Sequence, residues 1–395
     1  MDAAWLVSPA GQAAIAAAEA LPTDPLAAAA ALRQERPDLT ADQAATVLGQ
    51  VDLRRLARDR YGIQRPLLWT RDGLEQATRP AVAAHRAALL AASGTRRVID
   101  ATAGLGLDSA AFVAAGLEVI AIERDPEVAA LCAHNVPEAT VLNASAQAAL
   151  PDLLATLAPT DVLFFDPARR VPGGPRNAAG RAHPERDPER WSPPWSFIAA
   201  IGHPRIAVKA APAFTPPPTW HAEWVSWQRT VVECAGYSWP VFAPMQRAVI
   251  LDDDVVVVDR VDTSTDPVPV SAFLVEPDPA IIRSHAIDAL TGFGLQRIDA
   301  DGVWLTSQTP LAGSIAAALR QYRVITELTG SITEQRRTLD RLAIGSLTVK
   351  SRDAQIAPAV ALRELRRPEG SDAVLVLARR GGRIGRWLTQ PVTVQ

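Results

Sequence analysis

The sequence predicts an α/β fold: a parallel sheet buried between helices, with a helical region before it and a module of mixed helix and strand after it. Three observations carry this. Four short apolar runs, Val98-Ile99, Val119 to Ile122, Val141-Leu142 and Val162 to Phe165, alternate with segments at helical spacing. Strands apolar along their whole length are buried on both faces, the mark of parallel sheets built from βαβ units. Residues 10–60 are rich in Ala and Leu, with helical spacing and few breakers. At 395 residues the chain exceeds what one core organises, so two or three domains are expected.

Taken in order, helices are expected over Gly11 to Ala20, Pro25 to Arg33 and Thr40 to Arg60. Thr40 with Gln43 gives the last of these a capping box. A further helix is expected from Arg71 to Ala92. The first strand ends at Asp100 and feeds a glycine-bearing loop, then a helix Ser109 to Ala115 closed by Gly116. A strand ending in Glu123 precedes the helix Pro126 to Asn135, which has proline in its first turn. Helix Ala146 to Leu157 leads to the fourth strand. Residues 171–194, rich in Pro, Gly, Arg and Asp, read as a long loop, and loops of that length are functional or disordered. Arg205 to Lys209 is a fifth strand. Val225 to Cys234 and Arg247 to Val258 read as antiparallel strands completing the sheet, followed by a helix Pro277 to Leu290. The Thr/Ser/Pro segment Thr306 to Pro310 suggests a boundary. Beyond it, Thr333 to Leu342 reads as helix, Ser346 to Lys350 and Val374 to Ala378 as strands. The division expected is 1–66, 67–308 and 309–395.

Composition excludes several classes. With 48% hydrophobic and 21% charged residues the chain is globular and not disordered. Cys132 and Cys234, far apart in apolar company, exclude a disulfide framework and a cysteine-rich zinc site, and read as small core residues. No histidine spacing supports a metal site, so none is expected. Met1-Asp2-Ala3-Ala4-Trp5 lacks the basic start of a secretory signal, and no apolar run is long enough to span a bilayer, so a cytoplasmic protein is expected. Residues 320–386 carry 14 Arg and Lys against 7 Asp and Glu, a local +7, which leaves −10 for the rest of a chain of net charge −3. A basic module on an acidic body suits a polyanionic partner, although arginine fills nearly every basic position and many are solvated.

The candidate binding loop is Asp100-Ala101-Thr102-Ala103-Gly104-Leu105-Gly106-Leu107-Asp108. Glycines let a backbone approach a ligand closely, and the following helix offers free N–H groups. Ser109 stands where a dinucleotide fold needs its third glycine, and Asp100 at the strand end suits a cationic amino group better than a pyrophosphate. Glu123, at the tip of the next strand, can accept two ribose hydroxyls. Val162 to Phe165 ends in Asp166-Pro167-Ala168-Arg169-Arg170, at the carboxyl edge where doubly wound sheets bind ligands. Lys209 ends the fifth strand at that edge and reads mainly as a solvated lysine. Trp191 and Trp195 could stack a base or cover the core.

Asp100 to Asp108, with Val119-Ile120-Ala121-Ile122-Glu123-Arg124-Asp125-Pro126, resembles motifs I and II of class I S-adenosylmethionine methyltransferases. That resemblance implies a Rossmann-like fold and the cofactor S-adenosyl-L-methionine. Asp100, Gly104 and Gly106 would line its methionine end and Glu123 its ribose, with Ala103 and Asp108 in the same loop. After the third strand the family often carries Asp; here Asn143 is the candidate at the adenine. Asp166-Pro167 resembles motif IV of enzymes acting on nucleobases, with Ala168 where a second proline is usual. By resemblance Asp166 and the Pro167 carbonyl would hold a target amine, and Arg169 or Arg170 a phosphate. Leu68-Trp69-Thr70 through Thr78 is similar to the lead-in of trimethylguanosine synthases, where a threonine-bearing segment closes over the cofactor; Thr70 matches. Tyr322 to Lys350 and Arg379 to Arg383 look like a THUMP-like α+β module, which implies RNA as partner through residues 320–386. The resulting expectation is a methyltransferase acting on a base nitrogen in tRNA or rRNA. The alternatives are a nicotinamide oxidoreductase, a non-catalytic RNA-binding protein retaining the cofactor fold, and a methyltransferase of small molecules or proteins.

Overall fold

The computed structural model describes residues 2–169, 185–243, 245–352, 356–365 and 370–392. It divides into two compact units, residues 1–210 with 236–241, and 211–235 with 242–395. This division by compactness runs differently from the three-part division by sequence pattern.

In the first unit the helices α1 (Ala3–Val7), α2 (Pro9–Glu19), α3 (Pro25–Glu35) and α4 (Ala41–Tyr61) form the N-terminal region. Thr40 and Gln43 close the expected capping box on α4, and Gly62 ends that helix in the left-handed conformation. Leu6, Ile15, Leu32 and Val47 pack with Leu68, Trp69, Leu74 and Leu105 in one core. The single helix expected from Arg71 to Ala92 is two, α5 (Arg71–Glu75) and α6 (Pro80–Ala92). Pro80 explains the break, since it disfavours helical backbone in the residue before it and starts α6 at N1.

The sheet follows as β1 (Arg97–Asp100), α7 (Leu107–Ala114), β2 (Glu118–Glu123), α8 (Pro126–Asn135), β3 (Thr140–Asn143), α9 (Ala146–Leu154), β4 (Val162–Phe165), α10 (Trp195–Ala199) and β5 (Ile206–Ala210). These strands run parallel in the order β3-β2-β1-β4-β5. β4 is buried at every residue, which is why it reads as an unbroken apolar run, and β5 is buried throughout as well, Lys209 included. The order turns outward in both directions from β1 and β4, so the crevice beyond their carboxyl ends is the switch point of the sheet.

In the second unit, β6 (His221–Trp227), β7 (Thr230–Tyr237), β8 (Gln246–Leu251) and β9 (Val255–Asp259) lie in the order β7-β6-β8-β9. The run Arg247 to Val258, expected as one strand, is two, β8 and β9, which pair antiparallel with each other, while β6 and β8 pair parallel where antiparallel strands were expected. Trp227 and Thr230 flank a two-residue hairpin turn, so the run Val225 to Cys234, also expected as one strand, is the end of β6 and the start of β7.

A seven-stranded sheet completes this unit. Its elements are β10 (Phe273–Pro277), α11 (Pro279–Arg283), β11 (Gln296–Arg297), β12 (Leu305–Ser307), α12 (Ser314–Ala317), β13 (Leu319–Glu327), α13 (Ile332–Arg341), β14 (Ile344–Ser351), α14 (Pro358–Leu365), β15 (Ser371–Arg380) and β16 (Arg383–Pro391). The order is β11-β12-β10-β13-β16-β15-β14, so this sheet runs through the Thr306 to Pro310 segment that composition marked as a boundary. The helix expected over Pro277 to Leu290 stops at Arg283, because His285 takes a left-handed φ of 56°; a 3-10 helix Ile287–Phe293 follows. Both cysteines are buried, as expected. No helix among the described residues is long and apolar enough to cross a membrane.

Candidate active site

Five residues flagged by the sequence come together along the carboxyl edge of the parallel sheet. Asn143 ends β3, Glu123 ends β2, Asp100 ends β1, Asp166 follows β4 and Lys209 stands near the end of β5.

The loop after β1 is fixed from both sides. Gly104 (φ +53°) donates its N–H to Glu123 Oε2 over 3.0 Å, and Asp125 N–H donates to Glu123 Oε1 over 2.8 Å. A β-carbon on Gly104 would meet nothing within 4 Å, so its backbone stands open to an incoming ligand. Gly106 serves differently. Its φ is +83°, it caps α7, and a β-carbon there would come within 2.7 Å of Val136 Cγ2 and 2.9 Å of Cys132 Sγ on the α8 side. One glycine opens the loop; the other lets it close against α8. Ala103 N–H bonds Ile122 O over 3.0 Å, which binds the loop to β2.

Asp100 and Asp108 turn inward. Asp100 is 1% exposed; its Oδ2 accepts from Ser109 Oγ at 2.6 Å and its Oδ1 from Thr102 N–H at 3.3 Å. Burial pushes its carboxyl up to about 7, with the Ser109 bond opposing and the charges of Asp108 and Asp166 adding. Asp108 accepts from Thr78 Oγ1 at 2.6 Å and pairs with the buried guanidinium of Arg86. Burial raises its carboxyl, but Arg86, Lys209 and Thr78 outweigh that and hold it below the usual range. The two carboxylates organise the loop and the start of α7, and the open polar edge is left to Gly104, Glu123 and Asn143.

Asn143 is exposed and donates from Nδ2 to the carbonyls of Glu123 and Arg124, at 3.0 and 3.2 Å, which leaves Oδ1 outward. Thr70 caps α5 by accepting from Gly73 N–H at 2.9 Å, and Gly73 lies so close to Leu105 that a β-carbon would clash at 2.4 Å. The lead-in segment is therefore packed on the binding loop.

Lys209 is not solvated as expected. Its side chain is 8% exposed, with Nζ 2.5 Å from Asp166 Oδ2, 2.7 Å from Thr78 Oγ1 and 3.6 Å from Asp108 Oδ2. The acidic pocket between β4, β5 and α7 explains the burial, since a lysine there is neutralised where it would otherwise be desolvated alone. Asp166 keeps 28% of its side chain exposed and its N–H donates to Thr102 Oγ1 at 2.6 Å. Pro167 is buried, and Ala168 bridges to Ser192. Arg169 is half-buried and its carbonyl accepts from Glu185 N–H. Arg170 and much of the expected long loop lie outside the described residues. Trp191 is buried, which leaves Trp195, half-buried at the start of α10, as the partly accessible tryptophan of the two.

Sequence reasoning missed Thr78, Arg86, Gln50 and Asn135. Asn135 bonds Leu68 O, Leu105 O and Leu68 N–H, tying the lead-in to the binding loop, while Gln50 pairs with both backbone groups of Trp69. The polar side chain on an apolar helix face, Arg86 within Pro80–Ala92, was the one signal available.

Residues 71–167 match the family model of SAM-dependent methyltransferases, and residues 319–389 that of THUMP-like domains. Residues 71–167 are thus an S-adenosylmethionine-dependent methyltransferase domain of class I, and residues 319–389 a THUMP-like domain. Residues 1–57 of this methyltransferase match a model described as a domain of unknown function. It is 26% identical over 323 residues to an uncharacterized S-adenosylmethionine-dependent methyltransferase of Mycobacterium tuberculosis, covering 80% of this chain and 85% of that one. It is 38% identical over 104 residues to ribosomal RNA small subunit methyltransferase J of Rhodopseudomonas palustris, covering 22% of this chain and 45% of the relative. Its fold is shared with a crystal structure from Porphyromonas gingivalis W83, assigned as a methyltransferase: 17% identity, TM-score 0.66, coverage of 90% of this chain and 92% of that one. The cofactor of this methyltransferase is S-adenosyl-L-methionine. An open glycine backbone beside a carboxylate and an outward amide oxygen is chemistry that fits its amino acid, ribose and base. Among the described residues no group of His, Cys, Asp and Glu could hold a metal ion.

Proposed function

We propose that this methyltransferase acts on a base nitrogen in RNA, with Asp166 as the group that aligns the nucleophile. The supporting observation is the Asp166 carboxylate, partly exposed on the same edge as Gly104 and Glu123 and held at Oδ2 by Lys209. Thr70, the backbone of Ala103, Gly104 and Gly106, the Glu123 carboxylate and Asn143 hold the cofactor, with Asp100 and Asp108 shaping the loop beneath. Bound S-adenosylmethionine supplies a methyl group for in-line displacement, so the protein contributes alignment and exclusion of water. Asp166 Oδ1 and the Pro167 carbonyl accept the N–H groups of the target amine, which turns its lone pair toward the methyl. Asp166 then takes the proton that the methylated nitrogen gives up. Arg169 grips a neighbouring phosphate and the basic 320–386 region holds the RNA backbone.

Incubation of the full chain with radiolabelled cofactor and total RNA tests this. Label enters RNA with the wild type and falls about a hundredfold with Asp166→Ala. Equal incorporation by both removes Asp166 from this role, and label confined to protein or small molecules removes RNA as substrate.

A further inference from the structure

Glu276 of β10 is buried, 1% exposed, and lies opposite Arg320 in the antiparallel β10–β13 pair. Cross-strand partners share a face of the sheet, and so does Tyr322, two residues along, whose hydroxyl donates to Glu276 Oε2 at 3.3 Å. Two further cations reach the same carboxylate from the end of β14: Arg352 Nε donates to Oε1 at 2.7 Å, and Lys350 Nζ stands 3.9 Å from Oε2. A fourth comes from the β6–β7 hairpin, where Arg229 donates to Ala317 O at 3.1 Å, just before β13. Both central residues of that turn, Gln228 and Arg229, have left-handed backbone (φ 48° and 58°), a conformation that favours Asn-Gly. The sequence keeps long polar side chains there at a cost of about 1–2 kcal/mol each.

The charges do not cancel within the cluster. Arg229, Arg320, Lys350 and Arg352 are four cations against three carboxylates, Glu276 with Asp252 and Asp278 beside Arg229, which leaves one positive charge over. Glu276 is the carboxylate that Arg352 and Lys350 share. Arg320 is exposed and forms no ion pair among the described residues. Lys350 reports the surplus: burial lowers its ammonium, and Arg320, Arg352 and Arg229 add to that against Glu276. Guanidinium groups converging without a full complement of carboxylates are built for a tetrahedral oxyanion, which they meet with paired N–H donors.

We propose that Arg229, Arg320, Lys350 and Arg352 form a docking site for a backbone phosphate of RNA, anchored from beneath by Glu276. The partner rests on the reading of RNA as substrate; the anion site rests on the cluster alone. Arg320→Gln is the informative change, since Arg320 is exposed and forms no ion pair among the described residues. Arg352→Gln would strip a buried carboxylate of its partner and confuse stability with binding. Binding of a fluorescent RNA stem-loop to the full chain is measured by anisotropy across a salt series. Arg320→Gln is expected to weaken affinity about fivefold to tenfold and to reduce the salt slope by about 1, as loss of one phosphate contact does. Arg60→Gln, an exposed arginine of α4, serves as control and leaves both unchanged. Inorganic pyrophosphate supplies the second readout: it raises the Tm of the wild type and not that of Arg320→Gln. Unaltered RNA affinity and slope in Arg320→Gln overturn the site, even if Asp166→Ala abolishes RNA methylation. If no RNA is methylated but pyrophosphate protection depends on Arg320, the anion site stands and the substrate reading falls.

Discussion

The ammonium of Lys209 lies 2.5 Å from Asp166 Oδ2 and 3.6 Å from Asp108 Oδ2, so one buried cation joins the residue after β4 to the first turn of α7. The consequence is directional. With Oδ2 held by Lys209, the Asp166 carboxylate has a fixed plane and presents its other oxygen to the crevice. Lys209→Met keeps the stem and removes the charge. Turnover is expected to fall about 10²-fold, the cost of misplacing a reacting group by an ångström. S-adenosylhomocysteine affinity, which the proposed site places on Gly104 and Glu123, should stay within about threefold. Steady-state kinetics with calorimetric titration separates the two, and a parallel loss of affinity would mean that Lys209 supports the whole loop and not Asp166.

Arg86 is 1% exposed, pairs with Asp108 and lies over the Phe164 ring, 5.1 Å from its centroid. Removing one member of a buried pair leaves the other charged and desolvated, which costs about 3–5 kcal/mol. Arg86→Met is therefore expected to lower the urea midpoint strongly. Lys209 and Thr78 remain beside Asp108, so the loss should sit at the lower end of that range. A midpoint unchanged in Arg86→Met would show that these two alone neutralise Asp108.

Much of this site was legible in the sequence because a parallel sheet puts strand ends in register. Once the apolar runs are identified, Asp100, Glu123, Asn143 and Asp166 must share an edge, and they do. What spacing could not supply was the direction of each side chain. Asp100 and Asp108 belong to the binding loop by position, yet Asp100 faces Ser109 in the first turn of α7 and Asp108 faces Arg86, which the packing of α6 on α7 brings in. Lys209 looked solvated because a strand-end lysine has no local reason to be buried; its reason is two aspartates 43 and 101 residues away in the chain. The parallel β6–β8 pairing was equally invisible, since local alternation does not reveal the direction of the neighbouring strand.

The two loop glycines should respond differently to alanine. Gly104 has open space, so Gly104→Ala meets only the left-handed backbone penalty of about 1–2 kcal/mol. Its added methyl projects toward the ligand side, so cofactor affinity falls while the fold survives. Gly106→Ala adds to the same backbone penalty a contact of 2.7 Å with Val136. Overpacking of this kind costs typically about 1–3 kcal/mol more. Thermal unfolding of the two variants should therefore rank Gly106→Ala as the less stable, and the reverse order would contradict the assignment of the two glycines.

Asp100 makes stability depend on pH. Its carboxyl titrates near 7 in the folded chain against an ordinary 3.8, with burial as the main cause. Between those values the folded chain retains a proton that the unfolded chain has released, so folding is favoured by protonation. The contribution is complete below the unfolded value, declines as pH rises and is gone above about 7. Asp100→Asn keeps the acceptor for Ser109 but cannot ionise, so it lacks this decline. Relative to the wild type it should gain stability steadily from about pH 4 to pH 7 and then hold level, by at most about 4 kcal/mol. Urea unfolding of both proteins at half-unit intervals of pH measures the difference. A gap that stays constant across the range would mean that Asp100 is as well solvated when folded as when unfolded, against its burial beneath the binding loop.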